Sequence, residues 1–342
     1  MTPLARGVVN TSCAAGPFTE IYTRSNLQLC ERHLRAQEDT VQTRGRVTRS
    51  LFLALAFLVL GASSRANSFS AVFVYGDSLS DNGNLFNAVG QPGPPYYNGR
   101  VSNGPVTVEQ LAAILNSPLY DFAWAGATSG VGNQLDGGTQ TSLGFLNLPG
   151  MLTQLAAAPV PPALVPSSLF VVWGGANDFE IGGSPITAAT NILTIVGALQ
   201  GAGAQNILVP GLPNLALTPD FYGDPAAALF SAQFNALLQQ NLPAGATYFN
   251  VDAVLNQIVA NSGAYGFTNV TDACFNGTTV CANPDEYLFW DGVHPTTRAD
   301  GILAGQFRGA LTPEPSSIVL LGSGIAGMAG ALLRRRREAP TV

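Results

Sequence analysis

The chain has 342 residues, 46% of them hydrophobic, and a formal net charge of −6. All 15 basic residues are arginine, and only Arg100, Arg298 and Arg308 fall between Asn67 and Leu311, where fifteen acidic residues leave a balance of −12. A segment this acidic repels phosphate backbones, which argues against nucleic acid as a partner and reads most simply as solubility in an exposed environment.

Residues 1–43 carry Cys13, Cys30, His33 and scattered charges without periodicity, and read as a leader outside the fold. Arg44, Arg46 and Arg49 then precede an apolar run at 51–60 and the small residues of 61–66. Basic region, short apolar run and small residues together describe a secretory signal peptide over 44–66, too short for an ordinary membrane span. Ser64 and Ala66 supply the small residues that a cut after Ala66 needs. Signal peptides begin close to the initiator, so the true start is expected nearer Val41 or Val47 than Met1.

Residues 67–311 suit one large domain with a substantial core. Apolar runs at 71–75, 119–124, 169–173, 206–210 and 247–251 read as strands. Helical patterns cover 105–115, where Pro105 suits a first helical position, then 186–199, 226–238 and 296–311. Strands alternating with helices predict a parallel sheet covered on both faces.

Beyond it, residues 312–317 lead into an apolar run at 318–333 and the cluster Arg334, Arg335, Arg336 and Arg337. That is a stop-transfer pattern with its charge held on the cytoplasmic side, although 16 residues is short for a permanent span. Gly322, Gly324 and Gly327 match a dinucleotide fingerprint only formally, since neither the strand nor the acidic residue it needs is in place. Small residues in a membrane helix explain them better. Pro313-Glu314-Pro315, the apolar run and the arginines resemble the PEP-CTERM sorting signal of Gram-negative bacteria. The resemblance implies cutting near residues 313–316 by an exosortase-type enzyme, attachment to the membrane through this segment, and an exported protein of the envelope, surface or matrix. A plain tail anchor is the alternative.

The chemistry starts at Ser78, in a tight turn directly after the first apolar run, and at Asp291 and His294 near the far end of the domain. The sequence holds two histidines, and His33 lies in the leader. A serine needs a base to act as a nucleophile, and the base needs an orienting group. The Asp-x-x-His spacing lets one turn carry both. Alone, Gly76-Asp77-Ser78-Leu79 fits a helix-capping serine equally well. In open parallel sheets ligands sit beyond the carboxyl ends of the strands, where the turn after 71–75 would present Ser78. The ends of the second and third runs offer donors for an oxyanion: the Gly126 N–H and the Asn177 amide, each of which also fits an ordinary turn residue. Asp81 and Asp178 read as structural residues of their turns.

These four blocks, in this order, resemble the GDSL or SGNH hydrolases: Ser78 in Gly-Asp-Ser-Leu-Ser-Asp, Gly126, Gly175-Ala176-Asn177-Asp178, and Asp291-x-x-His294. The stretches 97–105 and 281–291 look like the family's segments too. The resemblance spans residues 69–311 and implies a three-layer α/β/α sandwich, flavodoxin-like, around a five-stranded parallel sheet. It also implies an esterase or lipase working through an acyl-serine. Ser78, His294 and Asp291 would form the triad, with the oxyanion held by the Ser78 and Gly126 N–H groups and Asn177. No metal or cofactor is called for. The substrate would be an ester of a lipid or of an acylated small molecule or sugar. A carbohydrate O-acetylesterase is the second reading, and a non-catalytic envelope protein the third. The Gly-x-Ser-x-Gly elbow is absent from the chain. Cys274 and Cys281, the cysteines of the mature segment, are expected to pair in an exported protein and to brace the approach to Asp291, the alternative being two free thiols.

Overall fold

Five short apolar runs become one parallel sheet in the computed structural model, which describes residues 69–311 and, beyond them, Gly322, Gly324, Gly327 and Gly330, which are helical. The expected leader, signal peptide and sorting segment lie outside the described residues, those four glycines apart. Residues 69–311 lie within one compact unit. The strands are β1 (Val72–Gly76), β2 (Leu119–Asp121), β3 (Leu169–Trp173), β4 (Asn206–Pro210) and β5 (Ala246–Phe249), in the order β2-β1-β3-β4-β5. This is the flavodoxin-like order, which reverses direction between β1 and β3 and opens a crevice at their carboxyl ends.

The layers follow from alternation along the strands. Phe73, Tyr75, Phe170, Val172, Ile207 and Val209 face one way. They pack on α3 (Met151–Ala157), α5 (Pro185–Gly201) and α6 (Pro225–Asn241). Val72, Val74, Leu169, Val171, Trp173 and Leu208 face the other way. Their partners are α2 (Thr107–Leu115), α7 (Val251–Ala260) and α9 (Thr297–Leu311). The sandwich therefore has three layers, as expected. Between them lie two short helices at the crevice, α1 (Asn84–Val89) and α4 (Ala176–Glu180), the turn α8 (Ser262–Tyr265), and a two-stranded sheet of β6 (Asn269–Ala273) and β7 (Tyr287–Phe289). The short helices and the small sheet carry no run long enough to have been read from sequence. Among the described residues no helix is long and apolar enough to cross a membrane.

Local chemistry sets the boundaries and corrects several expectations. The second strand ends at Asp121, not residue 124, because its carboxylate accepts the N–H groups of Ala123 at 2.9 Å and Asn82 at 3.1 Å. The fifth stops at Phe249, not residue 251: the Asn250 side chain accepts from the Ala253 N–H at 3.0 Å and starts α7 at Val251. The helix expected from 105 begins at Thr107, where the Glu109 carboxylate accepts the Val106 N–H. Ser184 and Asp224 cap α5 and α6, each with a proline at the first helical position.

Candidate active site

Ser78 follows β1 at the crevice. Gly76, its strand's last residue, is paired with Trp173 of β3 so closely that a Cβ would meet the Trp173 carbonyl oxygen at 2.6 Å. Its peptide is clamped by the Gln154 amide of α3, which donates to the Gly76 carbonyl at 2.8 Å and accepts its N–H at 3.0 Å. Beyond it, the N–H groups of Ser80 and Asp81 both donate to the Asp77 carbonyl at 3.0 Å, and the turn that results lifts Ser78 out of the sheet.

Asp291 and His294 come from the turn after β7. The Trp290 N–H donates to the His294 carbonyl at 2.8 Å and the Thr296 N–H to the Leu288 carbonyl at 3.0 Å, which closes the turn. Within it, Asp291 Oδ1 accepts the N–H groups of Val293 and His294 at 3.1 and 2.9 Å and lies 2.8 Å from His294 Nδ1. His294 Nε2 then lies 2.7 Å from Ser78 Oγ, across 216 positions of sequence. With Nδ1 donating to Asp291, Nε2 is the free acceptor for the serine proton.

Gly126 follows β2 with φ +78°, and a Cβ there would fall 2.5 Å from both Asn133 Oδ1 and Leu135 Cγ, so the position requires glycine. Asn177, 5% exposed, lies in the first turn of α4. Its Oδ1 accepts from Gln134 Nε2 at 2.7 Å, and its Nδ2 donates to the Ala127 carbonyl at 2.8 Å. Those partners fix which end of the amide is nitrogen and, among the described residues, leave its second N–H unspent. Among the described residues neither the Ser78 nor the Gly126 N–H has an acceptor. Ser78, Gly126, Asn177 and His294 line one cleft of about 370 Å³. The fold thus brings the four sequence blocks together.

Residues 72–307 match the family described as GDSL-like lipase/acylhydrolase. The chain belongs to that family. Phosphatidylcholine-sterol acyltransferase of Aeromonas hydrophila is 28% identical over 314 residues, covering 72% of this chain and 91% of its own. The esterase EstA of Pseudomonas aeruginosa is 27% identical over 336 residues, covering 78% of this chain and 50% of its own. Among solved structures, a catalytic mutant of an acetylxylan esterase from Geobacillus stearothermophilus aligns with a TM-score of 0.43 and 13% identity, over 72% of this chain and 95% of its own. This GDSL hydrolase is a carboxylic ester hydrolase of the esterase/lipase type.

The electrostatics of the GDSL hydrolase's cleft follow from burial and pairing. Burial pushes the Asp291 carboxyl up, but the His294 charge and hydrogen bonds pull it further down, to about 2. Burial lowers His294, yet the Asp291 charge and hydrogen bond outweigh it, helped by Asp77 and Glu180, so the imidazole sits above its ordinary 6.5. Asp77, beside the serine, is driven up to about 7 by burial, offset in part by the Leu79 N–H. Among the described residues its Oδ2 has no hydrogen-bond partner, which suits a carboxyl near its protonated form.

The structural reading of Asp81 and Asp178 agrees with their contacts. Asp81 accepts from the N–H groups of Gly83, Asn84 and Leu85 and from that of Ala125, next to Gly126. Asp178 holds the Ser129 N–H and hydroxyl. Cys274 and Cys281 form a disulfide. Three polar residues at the site escape a sequence reading: Gln154, Gln134 and Tyr96, whose hydroxyl donates to Asp291 Oδ2 at 2.9 Å. The segment resembling the family begins at Tyr97, one residue too late. An aromatic pair directly after Gly93-Pro94-Pro95 was the available signal.

Proposed function

We propose that the protein cleaves esters through an acyl-Ser78 intermediate. The observation that carries this is the unbroken relay from Ser78 Oγ to His294 Nε2 at 2.7 Å and from Nδ1 to Asp291 Oδ1 at 2.8 Å. Ser78 Oγ attacks the carbonyl carbon while its proton moves to His294 Nε2. Asp291, held ionised by its turn, stabilises the imidazolium. The Ser78 and Gly126 N–H groups and the spare Asn177 N–H receive the developing oxyanion. Collapse breaks the bond to the alcohol oxygen, which leaves with the proton from Nε2. Water then repeats the sequence on the acyl-serine, releasing the acid and restoring Ser78.

The cleft suits an ester with an apolar part. Leu85, Val101, Leu135 and Phe221 line it, while Glu180 and Asp220 add acidic groups to the lining. Lipid esters or acylated small molecules are the proposed substrates. The chain ends we read as address signals: a secretory peptide at 44–66, and at 312–342 a sorting signal cut by an exosortase-type enzyme, with export to the envelope or surface. Terminal sequencing and intact mass of the exported protein test both.

The function is tested with p-nitrophenyl esters from acetate to palmitate. The wild type should hydrolyse part of the series, its chain-length optimum reporting the acyl group. Ser78→Ala should be inactive while still folded. An active Ser78→Ala protein would overturn the acyl-Ser78 reading.

A further inference from the structure

Asp291 has two carboxylate oxygens, and its own turn occupies only one of them fully. Oδ1 receives two backbone N–H groups and the imidazole. Oδ2 lies 3.0 Å from His294 Nδ1 and accepts the Tyr96 hydroxyl at 2.9 Å, from 195 positions upstream. The Asp291 side chain is 13% exposed, so water contributes little to holding it. We propose that Tyr96 is a positioning residue of the relay: its hydroxyl fixes the plane of the Asp291 carboxylate and shares its charge, so that the imidazole stays aimed at Ser78. The proposal rests on the triad reading above.

Packing supports the role independently of the hydrogen bond. The Tyr96 ring stands edge-on against Phe275, centroids 5.6 Å apart at 88°, and against Trp290 at 6.2 Å and 80°. Phe275 stacks on Trp290 at 5.9 Å and 25°. Trp290 directly precedes Asp291, and Phe275 lies inside the loop closed by Cys274 and Cys281. The ring is thus seated by the segment that carries the carboxylate, and the hydroxyl reaches Oδ2 from a fixed base. Burial, with the Asp291 charge and hydrogen bond, holds the phenol well above its ordinary value, so it stays a donor across the working pH range. A charge-assisted bond of this kind is among the stronger neutral-donor contacts a protein makes.

Tyr96→Phe keeps the ring and its aromatic contacts and removes only the donor. On a short-chain ester its kcat should fall roughly 10- to 100-fold with KM little changed, the range expected for one hydrogen bond to a charged group. The acid limb of kcat/KM, which reports His294 in the free enzyme, should move to higher pH, because an unshared Asp291 charge favours the imidazolium more. The other groups facing His294, namely Asp77, Glu180 and Asp300, are unchanged in the variant, as is Asp220, which faces Tyr96. The downfield Nδ1 proton resonance of His294 should shift as well. If the Phe variant does not fold, 3-fluorotyrosine placed at 96, a stronger donor, should move the same limb to lower pH. An unmoved limb, with wild-type kcat in the Phe variant and an inactive Ser78→Ala, overturns the role of Tyr96 and leaves the triad standing. Activity in Ser78→Ala overturns both.

Discussion

Asn177 does two things with one planar amide. Gln134 and the Ala127 carbonyl hold its orientation, and the remaining N–H is left for the cleft. A donor fixed before reaction contributes fully when charge develops, because nothing need reorganise. Asn177→Ala should therefore lower kcat by roughly 10²- to 10³-fold with little change in KM. Steady-state kinetics on the ester that the wild type turns over best would check this. A variant within about twofold of wild type would remove Asn177 from the oxyanion site. Ser78, Asp291 and His294 were legible because each sits in a short block whose chemistry is local. Gln154 and Tyr96 were not: their contacts span 78 and 195 positions, and nothing local marks a glutamine or tyrosine as the far end of a bond.

The β6–β7 sheet and its disulfide loop carry the turn that holds Asp291 and His294. The Cys274 N–H donates to the Phe289 carbonyl at 3.1 Å and the Phe275 N–H to the Trp290 carbonyl at 2.6 Å, so the loop is tied to β7 and to the residue before Asp291. Cys274 and Cys281 are separated by 7 positions, and constraining so short a loop in the unfolded chain stabilises the fold by roughly 2–3 kcal/mol on the chain-entropy account. Replacing both cysteines by serine should lower stability by about that amount in a urea titration. An unchanged midpoint would mean that hydrogen bonds alone hold the loop. The pairing could be anticipated from two cysteines in a segment expected to be exported. The sheet it braces could not, because three- and five-residue strands of mixed polarity lack a period.

At the scale of the whole molecule, buried acids set how stability responds to pH. Burial drives Asp300 up to about 8, against hydrogen bonds from Thr107 and Ser102, and Asp77 to about 7. Both have ordinary values near 3.8 when unfolded, so between these limits the folded state holds protons that the unfolded state has released. Stability from these groups is full below about 4 and is lost as pH rises through 7 and 8. Asp291 acts oppositely: its stabilisation is present above 3.8 and is lost as pH falls toward 2. Asp300→Asn removes one of the titrations that favour acid. Thermal melts should show the variant gaining on the wild type as pH rises from about 5 to 9. A constant difference across that range would show that Asp300 does not titrate there.

The class of the fold and the candidate reactive groups were legible along the chain. Apolar runs alternating with helical stretches are buried on both faces as a covered parallel sheet, and Ser78, Asp291 and His294 take a catalytic reading jointly rather than singly. How those groups meet depends on packing between distant segments. The reversal of strand order between β1 and β3 places Ser78, Gly126 and Asn177 around one crevice. The closure of the turn after β7 brings His294 within 2.7 Å of Ser78. The supports of the site, Gln154 beneath Gly76, Gln134 beside Asn177 and Tyr96 on Asp291, arise from packing between distant segments. Hydrogen-bond geometry depends on distance in space, which neither composition nor spacing along a chain encodes.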